Sequence, residues 1–195
     1  MSKRVVRVTE ASAYLLHSAP WRETSLILQV FSREYGVVAL VAKGAKRPYS
    51  ALRSVLSGFQ PLWLSWSGAG EVKTLTRAEV AGLRPLSGRM LMSAWYLNEL
   101  VLRLLPREDP HPLLFDAYDQ ALIDLASGQA PAKALRRFEW TLLHETGYGV
   151  ESLPPDFDDP ALEPVLRRQL RERLDELLSG RPLRTRQVLM ELQRL

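Results

Sequence analysis

The first eighty residues of the chain consist of short apolar runs separated by turn signals, a pattern typical of β-strands. The predicted strands are Val5–Val8, Ala13–His17, Ser25–Ser32, Val37–Ala42, Phe59–Trp66 and Val72–Val80. Turns at Glu34-Tyr35-Gly36 and at Ser67–Gly70 predict two hairpins. Between the hairpins, one short helix is predicted, with Ser50 as its side-chain cap and Gly58 as its left-handed stop.

About five strands with a helix before the last pair is close to the strand order of an OB-fold barrel. A small β-sandwich is the alternative architecture for the same pattern. From Pro85 onward the apolar spacing changes to three and four, which predicts helices. The predicted helices are Leu86–Leu105, Pro112–Gly128, Pro131–Gly147, Leu162–Leu178 and Thr185–Leu195.

The two patterns together predict an α+β chain in two parts. Residues 1–82 are expected to form an OB-fold nucleic-acid-binding domain, and residues 83–195 an all-α domain. Within the second part, proline and glycine interrupt residues 147–160 throughout, so this acidic segment is predicted to be a loop. The longest apolar run, Val37–Ala42, is too short to cross a membrane, so we expect no membrane contact and a cytoplasmic protein.

Residues that could carry bond chemistry are scarce. The chain has no cysteine, which excludes a thiol nucleophile and a thiolate zinc site. Its three histidines, His17, His111 and His144, lack the spacing of metal ligands. The glycine-containing segment Val41–Lys46 lacks the second glycine and the Lys-Ser/Thr pair of a phosphate-binding loop. We therefore predict a protein without a metal, a cofactor or an enzymatic activity.

Positive charge is concentrated in the first part of the chain. Residues 1–84 hold 12 lysines and arginines against five acidic residues, whereas residues 85–195 hold 14 against 17. No carboxylate occurs from Tyr35 to Gly70, and the cations in that interval are Lys43, Lys46, Arg47 and Arg53. A surface that carries only positive charges attracts polyanions. The alternative is a solvated basic face that keeps the protein soluble.

Aromatic residues are interleaved with these cations, which is the combination that binds single-stranded nucleic acid. They are Trp21, Tyr35, Tyr49, Phe59, Trp63 and Trp66. Strand alternation places Trp63 and Trp66 on opposite faces of their strand, and Trp63 is predicted to leave the barrel core. Two roles for Trp63 stay open: stacking on bases, or packing on the helical part.

Seven segments in their order and spacing resemble the RecO family of bacterial recombination mediators. They are Leu16–Ser25, Val41–Arg47, Gly70–Leu75, Tyr96–Leu100, Leu135–Glu139, Gly147–Val150 and Gly180–Arg186. The resemblance implies an OB-fold followed by a helical domain, in a protein that binds single- and double-stranded DNA and anneals complementary strands. It also implies partners: the acidic C-terminal tail of single-stranded DNA-binding protein, the RecR protein, and the RecA recombinase, which is loaded onto coated gaps.

The resemblance also assigns roles to individual residues. It places DNA binding at Lys43, Lys46, Arg47 and Arg53, which the charge pattern had already selected, and Arg22 in the first segment is a further candidate. It places tail binding at Arg136, with Arg137 in reserve and Tyr96 or Trp140 offering a ring edge to the peptide. The alternative for Arg136 is an ordinary surface pair with Glu139.

One departure from the family pattern limits what can be carried over. Many relatives continue after Gly-Tyr-Gly-Val into a longer segment, often with paired cysteines around zinc, whereas here Gly147–Val150 leads almost directly to the next predicted helix. Zinc binding is therefore not expected. Two other kinds of function remain open: a protein-docking barrel, and an RNA-binding module of a nucleic-acid-processing complex.

Overall fold

The computed structural model describes residues 5–86, 88–128, 131–149, 153–179 and 181–192. Two compact units are present. The first comprises Met1–Arg84 together with Pro106–Pro112, and the second comprises Pro85–Leu105 together with Leu113–Leu195. The segment 106–112 therefore groups with the first unit, although it lies between two helices of the second along the chain.

The first unit is a five-stranded closed barrel. Its strands are β1 (Val6–Trp21), β2 (Ser25–Ser32), β3 (Gly36–Ala42), β4 (Pro61–Gly68) and β5 (Val72–Val80), with the helix α1 (Ala51–Val55) between β3 and β4. The strand order around the barrel is β1-β2-β3-β5-β4, and the β3–β5 pair is parallel while the other pairs are antiparallel. The predicted OB-type barrel is confirmed, including both hairpins.

The first two predicted strands are in fact one strand. β1 runs for 16 residues and pairs with β4 along its first part and with β2 along its second. The sequence prediction of a break near Glu10 was wrong because this residue forms a β-bulge: it adopts a positive φ of 52°, and its N–H donates to Ser65 Oγ at 3.0 Å. A second register shift lies between Leu15 and His17. Bulges bend a strand, which lets β1 serve both neighbours around a closed barrel.

The barrel core is formed by the inward positions of all five strands. Alternation along β4 buries Leu62, Leu64 and Trp66, and leaves Trp63 44% exposed, as predicted. The ring of Tyr35 packs edge-on against Trp66 with centroids 5.2 Å apart.

The short helix α1 differs from its prediction at both ends. Ser50 occupies the N-cap position but its side chain makes no capping hydrogen bond. Gly58 does not adopt a left-handed conformation; the positive φ of 65° falls on Phe59, whose buried ring leads into β4. The helix ends earlier than predicted, at Val55, and the N–H of its C-cap residue Leu56 donates to the Leu52 carbonyl.

The segment 106–112 is held against the barrel by backbone and side-chain contacts. The Glu108 N–H donates to the Val37 carbonyl oxygen at 3.0 Å, and the Glu108 carboxylate pairs with the buried ammonium group of Lys73. Gly36 adopts a φ of +65° directly beneath this segment, where a Cβ would overlap the backbone of Asp109. Local sequence patterns do not reveal these contacts, because they join positions that are far apart in the chain.

The second unit is helical. Its helices are α2 (Arg89–Leu104), α3 (Pro112–Ala126), α4 (Pro131–Glu145), α5 (Glu163–Leu177) and α6 (Arg184–Leu192). All five predicted helices are present, and the last three positions predicted for the final one, 193–195, lie outside the described residues. Their apolar stripes meet around side chains such as Leu97, Tyr118, Phe138 and Leu174. Among the residues that the structure describes, no helix is long and apolar enough to span a membrane.

Candidate nucleic-acid interface and acidic-peptide site

Two loops of the barrel lie side by side and bring predicted DNA-binding residues together. The turn between β1 and β2 carries Arg22, and the connection from β3 to α1 begins with Lys43. These loops touch because Ala42 pairs with Leu26 at the end of the β2–β3 ladder, and the N–H of Lys46 donates to the carbonyl oxygen of Thr24 at 2.9 Å. Arg22, Lys43 and Lys46 therefore share one end of the barrel.

The connection from β3 to α1 is a series of hydrogen-bonded turns. The Arg47 N–H donates to the Gly44 carbonyl, the Ser50 N–H to the Arg47 carbonyl, and the Arg53 N–H to the Ser50 carbonyl, each at 3.1 Å. Gly44 adopts a φ of +72°, a conformation that glycine enters without a steric penalty. A backbone fixed in this way orders the loop that presents the cations before any ligand arrives.

The cationic side chains of these loops face solvent. They are Arg22, Lys43, Lys46, Arg47 and Arg53, and all five are exposed. In the part of the chain that the structure describes, none of the five forms an ion pair with a carboxylate. Cations without internal partners keep their full charge for a polyanion, so this surface can hold phosphates.

Two aromatic side chains accompany these cations. Trp21 is 44% exposed, and the guanidinium carbon of Arg22 lies 5.9 Å from its ring centroid. Tyr49 is fully exposed at the tip of the turn from Arg47 to Ser50, whose second residue is Pro48. Tyr49 is among the aromatic residues that the sequence analysis found between the cations, but no individual role was predicted for it. Its position directly after a proline, in a segment rich in cations, is the sequence feature that could have singled it out.

Trp63 lies in a different electrostatic setting. Its partners in the ladders are Ser12 of β1 and Glu79 of β5. The Glu79 carboxylate binds the guanidinium group of Arg77, which also lies 3.6 Å from Glu10. Among the described residues, the carboxylates of Glu10 and Glu79 and the guanidinium group of Arg77 lie near Trp63, a setting that favours DNA less than the loop end does.

In the helical unit, Arg136 is paired within its own helix. Its Nη2 donates to Oε1 of Glu139 at 2.9 Å, and the two side chains are 13% and 2% exposed. The pairing with Glu139 considered from the sequence is present, but it is buried rather than a surface contact. Arg136 retains only a small accessible edge.

Tyr96 of α2 completes this cluster. Its hydroxyl donates to the same Oε1 of Glu139 at 2.6 Å, and its ring is buried. Burial and the adjacent Glu139 raise the pKa of Tyr96, and burial also raises the pKa of Glu139 against the opposing effects of Arg136 and Tyr96. Tyr96 does not offer the ring edge that the sequence suggested, because it faces Glu139 inside the unit.

Arg137 points to another part of the surface. Its Nη1 lies 3.7 Å from Oδ2 of Asp124, and its guanidinium carbon lies 5.7 Å from the ring centroid of Phe157. Because consecutive helical residues diverge by about 100°, Arg136 and Arg137 cannot serve one pocket equally. The structure thus places the two arginines on different parts of the surface of the unit.

A groove of about 600 Å³ is lined by residues of α4 and α5 together with Tyr148, Gly149, Leu153 and Pro155. Trp140, Leu143 and Leu170 are among its apolar lining residues. Polar residues line it as well, namely Gln169, Glu172, Arg173 and Glu176, and Arg173 forms an ion pair with Glu176. Trp140 stands one helical turn after Arg136, so the two residues are neighbours on the surface of α4. The groove therefore combines apolar and charged lining, and Arg136 stands next to one of its lining residues on α4.

Comparison with known proteins identifies relatives of both units. The family model described as "Recombination protein O N terminal" matches residues 6–84, and "Recombination protein O C terminal" matches residues 86–152. A DNA repair protein RecO from Ralstonia nicotianae is 47% identical over 235 residues, covering 97% of this chain and 86% of the relative. Those from Azoarcus sp. and Cupriavidus metallidurans are 57% and 44% identical, covering 74% and 96% of this chain and 60% and 79% of the relatives.

The lengths of these alignments carry information of their own. An alignment of 235 positions that covers 97% of a 195-residue chain must include stretches of the relative that have no counterpart here. The second family match ends at residue 152, just after the Gly-Tyr-Gly-Val segment. Both observations agree with a shortened region in this part of the chain.

Proposed function

The chain belongs to the RecO family of DNA repair proteins, and on that premise we propose that its barrel binds single- and double-stranded DNA through the exposed cations at one end. The family resemblance read from the sequence is confirmed, and it places the protein in DNA repair. The proposed contacts are Arg22, Lys43, Lys46, Arg47 and Arg53.

The observation that carries this proposal is the convergence of exposed, unpaired cations on hydrogen-bonded loops. Phosphate contacts supply most of the affinity of a protein that does not read sequence, and each neutralised phosphate releases condensed counterions. Preformed loops reduce the entropy lost on binding, since their backbone is already ordered. The surface is therefore suited to the backbone of any strand, whatever its sequence.

Strand annealing follows from the same electrostatics and needs no bond chemistry. A cationic surface that holds one strand also lowers the repulsion felt by a second strand, so complementary bases can meet. We include in the proposal that the protein brings complementary strands together in this way and helps load RecA onto gaps coated by single-stranded DNA-binding protein.

The helical unit is proposed to supply the contact with a partner. An acidic peptide that ends in an aromatic residue, such as the tail of single-stranded DNA-binding protein, would place its carboxylate on Arg136 and its ring in the groove beside Trp140. Arg137 and Tyr96 lie nearby, Arg137 on the adjacent surface and Tyr96 behind Glu139. RecR is proposed as a second partner on family grounds alone.

One experiment tests the DNA-binding proposal directly. The anisotropy of a fluorescent oligonucleotide is measured against protein concentration at several salt concentrations, and the logarithm of affinity should fall linearly with the logarithm of salt. Failure to bind even at low salt would instead support a barrel that docks proteins.

A further inference from the structure

We propose that Glu139 is a built-in competitor for Arg136, held in place by Tyr96, and that it sets how tightly the helical unit binds an acidic peptide. This inference rests on the proposed peptide-binding role of Arg136 and assigns a role to a residue that the proposed function leaves out. Three observations support it: the incomplete pairing of two buried groups, the fixed position of Glu139, and the charges around it.

The Arg136–Glu139 ion pair uses only some of the hydrogen-bonding atoms of each side chain. A guanidinium and a carboxylate in the side-on arrangement form two parallel hydrogen bonds. Here Nη2 and Oε1 make one bond, whereas Arg136 Nε and Glu139 Oε2 are buried and have no hydrogen-bond partner within the described part of the chain. Buried polar atoms without a partner carry a desolvation penalty, so this pair is less stable than a pair with two parallel hydrogen bonds would be.

Tyr96 prevents Glu139 from turning away. Its hydroxyl and Arg136 Nη2 both donate to Oε1, so the carboxylate is fixed by contacts from α2 and from α4. Glu139 is 1% exposed, so water does not stabilise its carboxylate in place of these contacts. An incoming carboxylate therefore meets a guanidinium group whose charge is already partly offset, with a like charge a few ångströms away.

Among the described residues, the titratable groups that act on Glu139 lie on four helices. They are Tyr96 of α2, Arg136 of α4, Arg167 of α5 and Arg186 of α6. Burial raises the pKa of Glu139 and the three arginines oppose this rise. Lowering the pH protonates Glu139 and removes the competing charge, so peptide affinity should increase as pH falls, down to the range where the peptide's own carboxylates titrate.

The test measures binding of a fluorescent acidic peptide that ends in an aromatic residue with a free carboxylate. Glu139→Gln keeps the shape of the side chain and an acceptor for Tyr96 but removes the charge. We expect it to tighten binding about three- to tenfold, the scale for removing one like charge near a partly buried site. Asp124→Asn is the matched control, since it removes a carboxylate beside Arg137 and should leave affinity unchanged.

The pH profile separates competition from a merely structural role. In the unsubstituted protein, peptide affinity should rise as pH is lowered towards the ordinary range of peptide carboxylates. Glu139→Gln should flatten this dependence. Tyr96→Phe removes one hydrogen bond to the ionised carboxylate and should move the profile to higher pH, which provides a second reading if the Gln variant does not fold.

The outcomes distinguish this inference from the function on which it rests. Equal or weaker binding by Glu139→Gln, together with loss of binding in Arg136→Ala, would overturn the competitor role and leave the peptide site in place. Equal binding by Arg136→Ala would remove the peptide site itself. An amidated version of the peptide should lose the effect of both substitutions if the terminal carboxylate is the group that Arg136 binds.

Discussion

The carboxylate of Glu99 in α2 accepts hydrogen bonds from both the backbone N–H and the hydroxyl of Thr185, which lies 86 positions further along the chain. A third hydrogen bond comes from the backbone N–H of Arg184, at 3.0 Å. Free N–H groups at the start of a helix need acceptors, and here a side chain from another helix supplies them. Glu99 thereby fixes the beginning of α6 on α2.

Replacing Glu99 should lower the free energy of unfolding at neutral pH more than in acid. Partial burial raises the pKa of Glu99, but the hydrogen bonds from Thr185 and Arg184 outweigh it and hold the pKa below its ordinary value of 4.5. Stability from this carboxylate is present above that value and is lost as pH falls through the lowered pKa. Glu99→Gln should cost about 1 kcal/mol at neutral pH, as for loss of a helix cap, and less in acid.

Urea unfolding followed by helical circular dichroism, at pH 7 and near pH 3, measures this difference. Glu176→Gln is the matched control, because Glu176 pairs with Arg173 on an exposed surface of α5. That substitution should change stability by a few tenths of a kcal/mol at most. A Glu99→Gln penalty that stays constant from neutral to acid pH would contradict the assigned role of the ionised carboxylate.

Gly36→Ala should be the most destabilising of three glycine substitutions. A Cβ at Gly36 would come within 2.6 Å of the Asp109 carbonyl carbon, and the φ of +65° adds strain for any other residue. The segment 106–112 must then move away from the barrel, at a cost of about 3 kcal/mol from overpacking and backbone strain combined. The free energy of unfolding from urea titration provides the measurement.

Substitutions at two other glycines distinguish the effect of steric overlap from that of backbone strain. Gly128 has a φ of +75° and no atom within 4 Å among the described residues, so Gly128→Ala should cost about 1 kcal/mol from backbone strain alone. Gly58 has neither a positive φ nor a close atom, and Gly58→Ala should be neutral or slightly stabilising. Equal losses at Gly36 and Gly128 would show that the contact with Asp109 contributes nothing.

Features encoded within a few residues could be predicted from the sequence. Alternation in β4 separated Trp63 from Trp66, and helical periodicity located α2 to α6, because each depends on neighbours along one element. The bulge at Glu10 was not predicted, because the two successive polar residues Thr9 and Glu10 are as typical of a turn as of a bulge within a strand. Its conformation is set by Ser65 on another strand.

In the candidate sites, too, features set by residues close in sequence were predictable, and features set by distant residues were not. Lys43, Lys46, Arg47 and Arg53 are close in sequence, and their common charge was visible without a structure. Arg136 and Glu139 stand three apart, so their pairing was foreseeable, but its burial depends on Tyr96, 43 positions before Glu139. The segment 106–112 and the contact of Glu99 with Thr185 also join distant positions, which no local pattern reveals.

Reversing the charge of Lys43, Lys46 and Arg47 together should weaken DNA binding and reduce its salt dependence. If about four cations engage a single strand, the log–log salt slope should be near −3, from roughly −0.7 per phosphate. The triple variant should have a slope closer to −1 and lose affinity for all sequences alike. Reversal of Arg167, Arg168 and Arg171 on α5 is the control; an unchanged slope in the first variant would move the DNA site to these or other residues.

Arg136→Ala should weaken binding of the acidic peptide by roughly 1.5–3 kcal/mol, the range for a hydrogen bond to a charged group. Arg137→Ala should cost less, because Arg137 lies beside Asp124 and Phe157 on a different part of the surface. Oligonucleotide affinity should stay nearly constant in both variants, since the proposed DNA contacts lie on the barrel. Fluorescence titrations with each ligand separate these effects.

Tyr49→Ala should weaken binding of single-stranded DNA more than Trp63→Ala does, although tryptophan has the larger ring. Tyr49 is fully exposed among unpaired cations, whereas Trp63 is paired across the sheet with Glu79. A stacked base contributes roughly 1–3 kcal/mol, so the loss at Tyr49 should be about fivefold or more in affinity for a single strand. Duplex DNA keeps its bases stacked on one another, and its affinity should change little. Tyr49→Trp should retain single-strand binding, because any flat aromatic ring can stack. A larger loss at Trp63 would place the path of the strand across the outer face of β4, and would make the carboxylates of Glu10 and Glu79 part of its surroundings.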